Sequence, residues 1–402
     1  MKKIAIIGAG AAGTFCATQL RRALPDVAID IYEAGPKALA KVAITGGGRC
    51  NLTNTFEGIG DLSEAYPRGH RLMKRLFKVF DHGTCQRWFE DEGVRLVRQD
   101  DFCIFPQSQD AMEIVRTLLR GCRGCNIHLG TRISSIRKEE RFILEYGEGK
   151  KAEADMVVVT TGGYPRSGNA SFLKELGLEM VESLPSLFTF SIDDPVREMM
   201  GTVVDATASI PGTKFKAHGP LLITDWGMSG PAILKLSSYA ARYLAEQQYR
   251  TTLAVNWING NEEDARKLLA KLADGNGKKL VSSVHPEEIP SRLWNYLVTK
   301  SGLRGDIRWA EIGKTGMNRF CNTLINDSYK VSGKTRFKDE FVTCGGVSLT
   351  EVNQGTMESK RYPGLYFAGE ILDIDAITGG FNLQAAWTTG YVAADSIIRA
   401  YD

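Results

Sequence analysis

The chain has 402 residues, 43% of them apolar and 24% charged, longer than one hydrophobic core usually supports and otherwise of ordinary globular composition. Its 50 basic and 47 acidic residues leave a net charge of +3, which implies no strong field for steering nucleic acid or a membrane surface and no large polyanionic partner. The apolar run at the start is only Ile4 to Ile7 before a glycine, too short for a signal peptide, and no run approaches the roughly 18 apolar residues of a membrane span. Two or three lobes in a soluble, cytoplasmic α/β protein are expected.

The first 34 residues read as strand, glycine turn, helix and strand: an apolar run at 4–7, Gly8-x-Gly10-x-x-Gly13, a periodic stretch to Leu24, then Ala28 to Tyr32 and Glu33. Gly8 permits the tight turn, Gly10 lets the backbone approach a pyrophosphate, and Gly13 allows close packing of helix on strand. The helix start then offers its positive end and free amides to phosphates. Glu33, at the end of the second strand, is placed for ribose hydroxyls and disfavours a 2′-phosphate, so the site should hold FAD or NAD.

Next comes "ITGGGRCNLTN", residues 44–54, in which three consecutive glycines precede Arg49, Cys50 and Asn51. Glycine-rich loops either cradle a ligand or turn a corner, so the stretch is not readable alone. Eight cysteines are scattered without a framework spacing, as suits free thiols in a reducing compartment. The Cys122/Cys125 pair lacks a second pair for zinc and reads as a turn between helix and strand. The five histidines show no ligand spacing, so no metal site is expected and no catalytic role is assigned to His70 or His218.

"NIHLGTRISSI" and "RFILEYGEGKKAEADMVVVTTGG" read as a strand, a hairpin and a strand ending at Thr161-Gly162, with "GEGKKA" a turn rather than a second nucleotide signature. From about 188 to 336, short alternating runs such as "TVVDATASI" and "TTLAVNWI" precede polar helical stretches over 261–326, which fits a small barrel with a helical unit. Within it Ser229 lies near the cap of a helix entered through Pro231, and Trp226 and Met228 are either structural or walls of a substrate pocket.

The end of the chain decides between FAD and NAD. "GLYFAGE" is a short strand from Leu365 to Ala368 followed by Gly369 and Glu370; then come Asp373 and Gly379-Gly380, which open a helix from about Phe381 to Ala400. Simple NAD dehydrogenases have no use for this second glycine and acid. Flavoproteins with two dinucleotide-type folds do.

These stretches, with "TGGGRCNLTN", "TTGGYP", "GPLLITDWGMSGPAILKLS", "FVTCGGV", "TMESK" and "TGGFNLQAAWTTGY", resemble the BaiN/YhiN-like, or aminoacetone-oxidase-like, family of NAD(P)/FAD-dependent oxidoreductases over nearly the whole chain. The resemblance implies a glutathione-reductase-like, Rossmann-type FAD domain made from residues 1–187 and 336–402. A β-barrel domain with its helical unit (about 260–326) would be inserted at 188–335. It implies noncovalent FAD in contact with Gly8, Gly10, Ala11, Ala12, Gly13, Glu33, Ala34 and Lys41. Gly47, Gly48, Arg49, Cys50 and Asn51 would lie along the flavin, with Arg49 and Asn51 as donors and Cys50 as packing. Ile133 would meet adenine, Thr161 and Gly162 the adenosine half. Gly369, Glu370, Asp373, Gly380, Phe381, Asn382 and Leu383 would complete the site, the last three placing amides toward the pyrimidine side of the ring. The chain departs from its relatives after "TGG", where its loop is short, and at "FCIFPQS", residues 102–108.

An FAD oxidoreductase acting on a small organic substrate is therefore expected, with NAD(P)H a possible transient donor. Since no second GxGxxG with strand before and helix after occurs, any pyridine nucleotide would visit the flavin cavity itself. The alternatives are an amine or aminoketone oxidase using oxygen and, from another class, an RNA-modifying flavoprotein or a noncatalytic flavin-binding module; the near-neutral charge weighs against nucleic acid.

Overall fold

A computed structural model describes residues 2–163, 171–335 and 342–401. The short loop after "TGG", at 164–170, and the boundary read at 336 lie outside the described residues. Two compact units are distinguished, one of Met1–Pro185 with Val342–Asp402 and the other of Ser186–Phe341.

The first unit is organised on a five-stranded sheet in the order Leu365–Phe367, Met156–Val159, Lys3–Ile7, Ala28–Tyr32, Asn126–His128. All its pairings are parallel. A parallel strand covered on both faces reads as a continuous apolar run, which is why Ile4 to Ile7 are all buried. The helix Ala11–Ala23 follows the first strand and packs on the helix Phe381–Arg399 near the end of the chain. Their approach is close enough that a Cβ on Gly390 would lie 2.8 Å from the Ala12 carbonyl oxygen. Ile133–Lys138, Phe142–Tyr146 and Lys150–Ala154 form an antiparallel three-stranded sheet, with residues 147–149 as the turn. A second small sheet joins Thr53–Asn54, Cys103–Pro106 and Leu96–Arg98. Cys122 and Cys125 sit in a turn between the helix Ala111–Gly121 and the strand Asn126–His128.

The second unit contains a closed six-stranded barrel in the order Phe190–Ile192, Gly227–Ser229, Lys216–Thr224, Val203–Ser209, Thr251–Asn256, Asp327–Lys334. Alternation puts Val204, Ala206 and Ala208 in its core. Three helices, Glu262–Ala273, Ser291–Lys300 and Gly313–Ile325, lie between its last two strands. The first of them is opened by a capping box between Asn261 and Asp264. Met228, read as either structural or a pocket wall, is fully buried in this barrel core and is structural. No helix of the described residues is long and apolar enough to cross a membrane.

Candidate functional site

Three groups of sequence-predicted residues come together in the first unit. At the amino-terminal turn, Gly8 (φ +108°) could carry no side chain, because its Cβ would lie 2.4 Å from the Thr160 carbonyl oxygen. A Cβ on Gly13 would lie 2.1 Å from the Gly8 carbonyl oxygen. Gly10 differs: among the described residues nothing stands within 4 Å of its Cβ position. It is the N-cap of the first helix without any side-chain cap, and the first helical bond is from Thr14 N to Gly10 O, so the amides of Ala11, Ala12 and Gly13 precede the ladder. Glu33 accepts from Ala9 N at 2.8 Å on one carboxylate oxygen and from Gly35 N at 2.7 Å on the other. Each oxygen retains a second lone pair for a ligand hydroxyl. Ala34 is exposed beside it. Thr131 N and Gly130 N donate to the carbonyls of Glu33 and Gly35, which draws the start of the Ile133 strand to this end.

A second group surrounds Glu370. Its Oε1 accepts from Thr343 N at 2.9 Å and its Oε2 lies 3.4 Å from Lys41 Nζ. A Cβ on Gly162, the residue after Thr161, would lie 3.6 Å from the same Oε2, and one on Gly369 would lie 2.9 Å from the Ala12 Cβ. Asp373 accepts from Gly345 N, two residues along the strand Val342–Val347 from Thr343, and donates its own amide to the Val347 carbonyl.

The third group is built on the glycine triplet. The helix Ala40–Gly48 is broken at Thr45–Gly47, and Gly46, Gly47 and Gly48 have φ of +59°, +68° and +83°, the left-handed region that glycine enters without strain. Among the described residues nothing lies within 4 Å of a Cβ at Gly47 or Gly48, whereas one on Gly46 would lie 2.8 Å from Asn51 N. Gly380 (φ +88°), N-cap of the last helix, abuts the strand Thr53–Asn54 that follows the triplet: its Cβ would meet Thr53 O at 2.4 Å and Asn51 Oδ1 at 2.7 Å. That Oδ1 is buried and has no hydrogen-bond partner among the described residues. The last helix has no side-chain cap, so the amides of Phe381, Asn382 and Leu383 are left at its positive end.

The side chains of these residues are engaged as follows. Arg49 is exposed; it donates to Gly46 O and Gln109 Oε1 and stacks 4.6 Å over the Phe105 ring, so its guanidinium braces its own loop. Cys50 is fully buried beside Leu52 and Cys85, and burial pushes its thiol up to about 12, so it is packing and not a thiolate. The Asn382 side chain pairs twice with the Ala376 backbone, at 2.9 Å each way, and leaves its own backbone amide at the helix end. Leu383 packs against the core around Phe15 and Trp387. Phe381 accepts at its carbonyl from the buried Tyr66 hydroxyl.

Sequence reasoning missed Asn54, whose amide donates to Gly379 O, and Thr53, whose hydroxyl donates to Gln384 Oε1 across 331 positions. Asn54 stands inside the quoted motif and was within reach. The buried Arg68–Asp375 ion pair, which ties the chain before the helix His70–Leu76 to the loop before the last helix, carried no local signal.

These residues fit FAD. Uncapped amides and an open Gly10 suit a pyrophosphate, the open Gly47 and Gly48 admit a flat ring against the backbone, and Asn51 Oδ1, which finds no donor among the described residues, suits a flavin ring N–H.

The family model described as HI0933-like protein Rossmann domain matches residues 2–396. A ribosomal RNA dihydrouridine synthase of Escherichia coli is 28% identical, covering 98% of each chain. A 3-dehydro-bile acid delta(4,6)-reductase of Clostridium scindens is 26% identical, again covering 98% of each. Among solved structures, the Mycobacterium smegmatis Sdh1 complex in the apo form aligns with a TM-score of 0.50 at 15% identity, covering 99% of this chain and 69% of that one, a likeness of fold. With a Rossmann-type dinucleotide fold, an attendant six-stranded barrel and a site that fits a flavin, the chain belongs to the HI0933-like family and is an FAD-dependent oxidoreductase.

Proposed function

We propose that this enzyme reduces a ring carbon–carbon double bond conjugated to a carbonyl, with electrons from NAD(P)H and FAD held noncovalently. The observation that carries the reading is the meeting, at one place, of the uncapped last helix, the open Gly47 and Gly48 of the glycine triplet and the Asn51 acceptor left without a partner among the described residues. The names of two relatives support the reaction class. Dihydrouridine is uridine reduced across its ring double bond, and a delta(4,6)-reductase acts on a conjugated ring system. A uracil base and a small cyclic enone therefore both qualify as substrates.

Bound FAD supplies the hydride chemistry. The amides of Ala11 to Gly13 hold its pyrophosphate, Glu33 its ribose, and Ala34, Ile133, Thr161 and Gly162 border the adenosine half. Lys41, Gly369 and Glu370 lie along the middle. The backbone of Gly47 to Asn51 and the amides of Phe381 to Leu383 line the ring, and the helix end stabilises negative charge that builds there, an electrostatic effect set before the reaction begins. Asp373 acts by fixing the loop that leads to that helix.

Glu33→Ala is expected to weaken FAD binding by about 1–3 kcal/mol, the usual loss for hydrogen bonds to a charged partner. FAD titration of the apoprotein measures it, and an unchanged affinity would relocate the ribose contact. The reaction itself is tested anaerobically: reduction of the holoenzyme by NADH or NADPH, then reoxidation by a cyclic enone or by uridine-containing RNA with a product heavier by two hydrogens. Rapid reduction by amines, with turnover on oxygen and no reduction of either acceptor, would replace the reading with an oxidase.

A further inference from the structure

Residues 65–80, "AYPRGHRLMKRLFKVF", contain five lysines and arginines and no acidic residue, a concentration that the net charge of +3 conceals. In the structure the helix His70–Leu76 buries Leu72, Met73 and Leu76 and leaves Arg71, Lys74, Arg75 and Lys78 exposed. Backbone bonds from Phe77, Lys78 and Val79 to Met73, Arg75 and Leu76 continue the turn past the helix end, so positions 71, 74, 75 and 78 form one stripe, about 10 Å long at the helical rise. No described carboxylate lies within ion-pair distance of Arg71, Arg75 or Lys78; the exposed Asp61 acts on Lys74 only through space. Like charges three and four positions apart repel and destabilise an isolated helix. An anionic partner laid along the stripe would reverse that cost.

The stripe is held in a fixed relation to the flavin-type site. Arg68, just before the helix, is ion-paired to Asp375, and Ile377 N donates to Ala65 O at 2.9 Å. Gly69 is pressed on Ile374, which a Cβ there would meet at 2.7 Å. The loop so gripped runs directly into Gly379, Gly380 and the uncapped last helix, and Asn382 clamps it from the other side through Ala376.

We infer that Arg71, Lys74, Arg75 and Lys78 form a phosphate-binding stripe that anchors the backbone of a single-stranded RNA while one of its bases enters the site. The inference rests on the proposed reduction of a conjugated ring, for which uracil qualifies, and selects the polymer-borne base among the possible substrates. Phosphate contacts of this kind fix position without reading sequence, and each releases counterions, which makes binding steeply salt-dependent.

The test is fluorescence anisotropy of a labelled uridine-rich single-stranded RNA with FAD-loaded protein, between about 50 and 200 mM salt. The wild type is compared with a variant carrying Arg71→Gln, Lys74→Gln, Arg75→Gln and Lys78→Gln. A control that removes equal charge elsewhere carries Lys267→Gln, Lys271→Gln, Lys278→Gln and Lys279→Gln, all exposed in the second unit. The stripe variant should bind at least about tenfold more weakly and lose about 3 from the slope of log affinity against log salt, roughly 0.7 for each phosphate contact on a single strand. The control should keep both. Single changes Arg71→Gln and Lys78→Gln, each expected to remove about 0.7 of slope, keep the test decisive should the fourfold variant fold poorly. Equal losses in stripe and control variants, absence of RNA binding by the wild type, or stripe-dependent binding to phosphatidylserine vesicles without binding to RNA would each overturn the inference. If a free cyclic enone were still reduced in those cases, the proposed reaction would stand without the RNA anchor.

Discussion

Gly10→Val is expected to give a folded protein that has lost FAD, with affinity reduced by about 3 kcal/mol or more, roughly 100-fold. The expectation separates ligand from fold, which most glycine substitutions at a dinucleotide turn cannot do. The Gly10 backbone has φ of −86°, open to any L-residue, and no atom of the described residues stands within 4 Å of its Cβ. The new side chain therefore meets only the space in front of the free amides of Ala11 to Gly13. The cost to the fold is confined to a poorer N-cap, about 1 kcal/mol. Gly13→Ala provides the contrast, since its Cβ would lie 2.1 Å from the Gly8 carbonyl oxygen and should unsettle the strand–helix junction itself. Flavin absorbance after purification and reconstitution, read beside the thermal midpoint, distinguishes the two. A Gly10→Val protein that retained stoichiometric FAD would remove the pyrophosphate from this turn.

Asp375→Ala should destabilise the first unit by about 3–5 kcal/mol, the cost of leaving a buried charge without its partner. Asp375 is 0% exposed, and Arg68 donates to it through two guanidinium nitrogens. Burial works against the Arg68 charge, yet its pairing with Asp375 holds its pKa above the ordinary value, so the guanidinium cannot escape by losing its proton. Set against the 5–15 kcal/mol by which domains are usually stable, the loss is large. The double change Arg68→Met with Asp375→Leu should recover much of it, since two apolar side chains leave no buried charge. Urea unfolding of the three proteins measures the effect; a loss below about 1 kcal/mol for Asp375→Ala would mean that water reaches Arg68.

What was legible in the sequence was local. Gly8, Gly10 and Gly13 announce a strand–turn–helix because steric demands act between neighbours, and the unbroken apolar run at Ile4 to Ile7 betrays a sheet covered on both faces. Alternation in residues 203–209 and 251–256 marked barrel strands by the same short-range logic, and the hairpin turn at 147–149 was separable from a nucleotide turn because no helix follows it. The BaiN/YhiN-like resemblance, carried by long motifs in a fixed order, then pointed to the family and to a flavin.

Only the tertiary structure decided how the candidate residues are employed. Arg49 looks like a ligand donor until Phe105 and Gln109 are found beneath it, whereas Cys50, read from the sequence as packing, is sealed beside Cys85. Asn382 stands in the first turn of the last helix, where its side-chain carboxamide is consumed by Ala376 and only its backbone amide is left over. Arg68 and Asp375 meet across 307 positions, and a near-neutral total says nothing about four like charges on one helical face. Hydrogen bonds and ion pairs saturate: each donor or acceptor spent on one partner is withdrawn from another. The order of residues along the chain determines which groups exist, and the three-dimensional neighbours, brought in from hundreds of residues away, determine which of them are left over for a ligand.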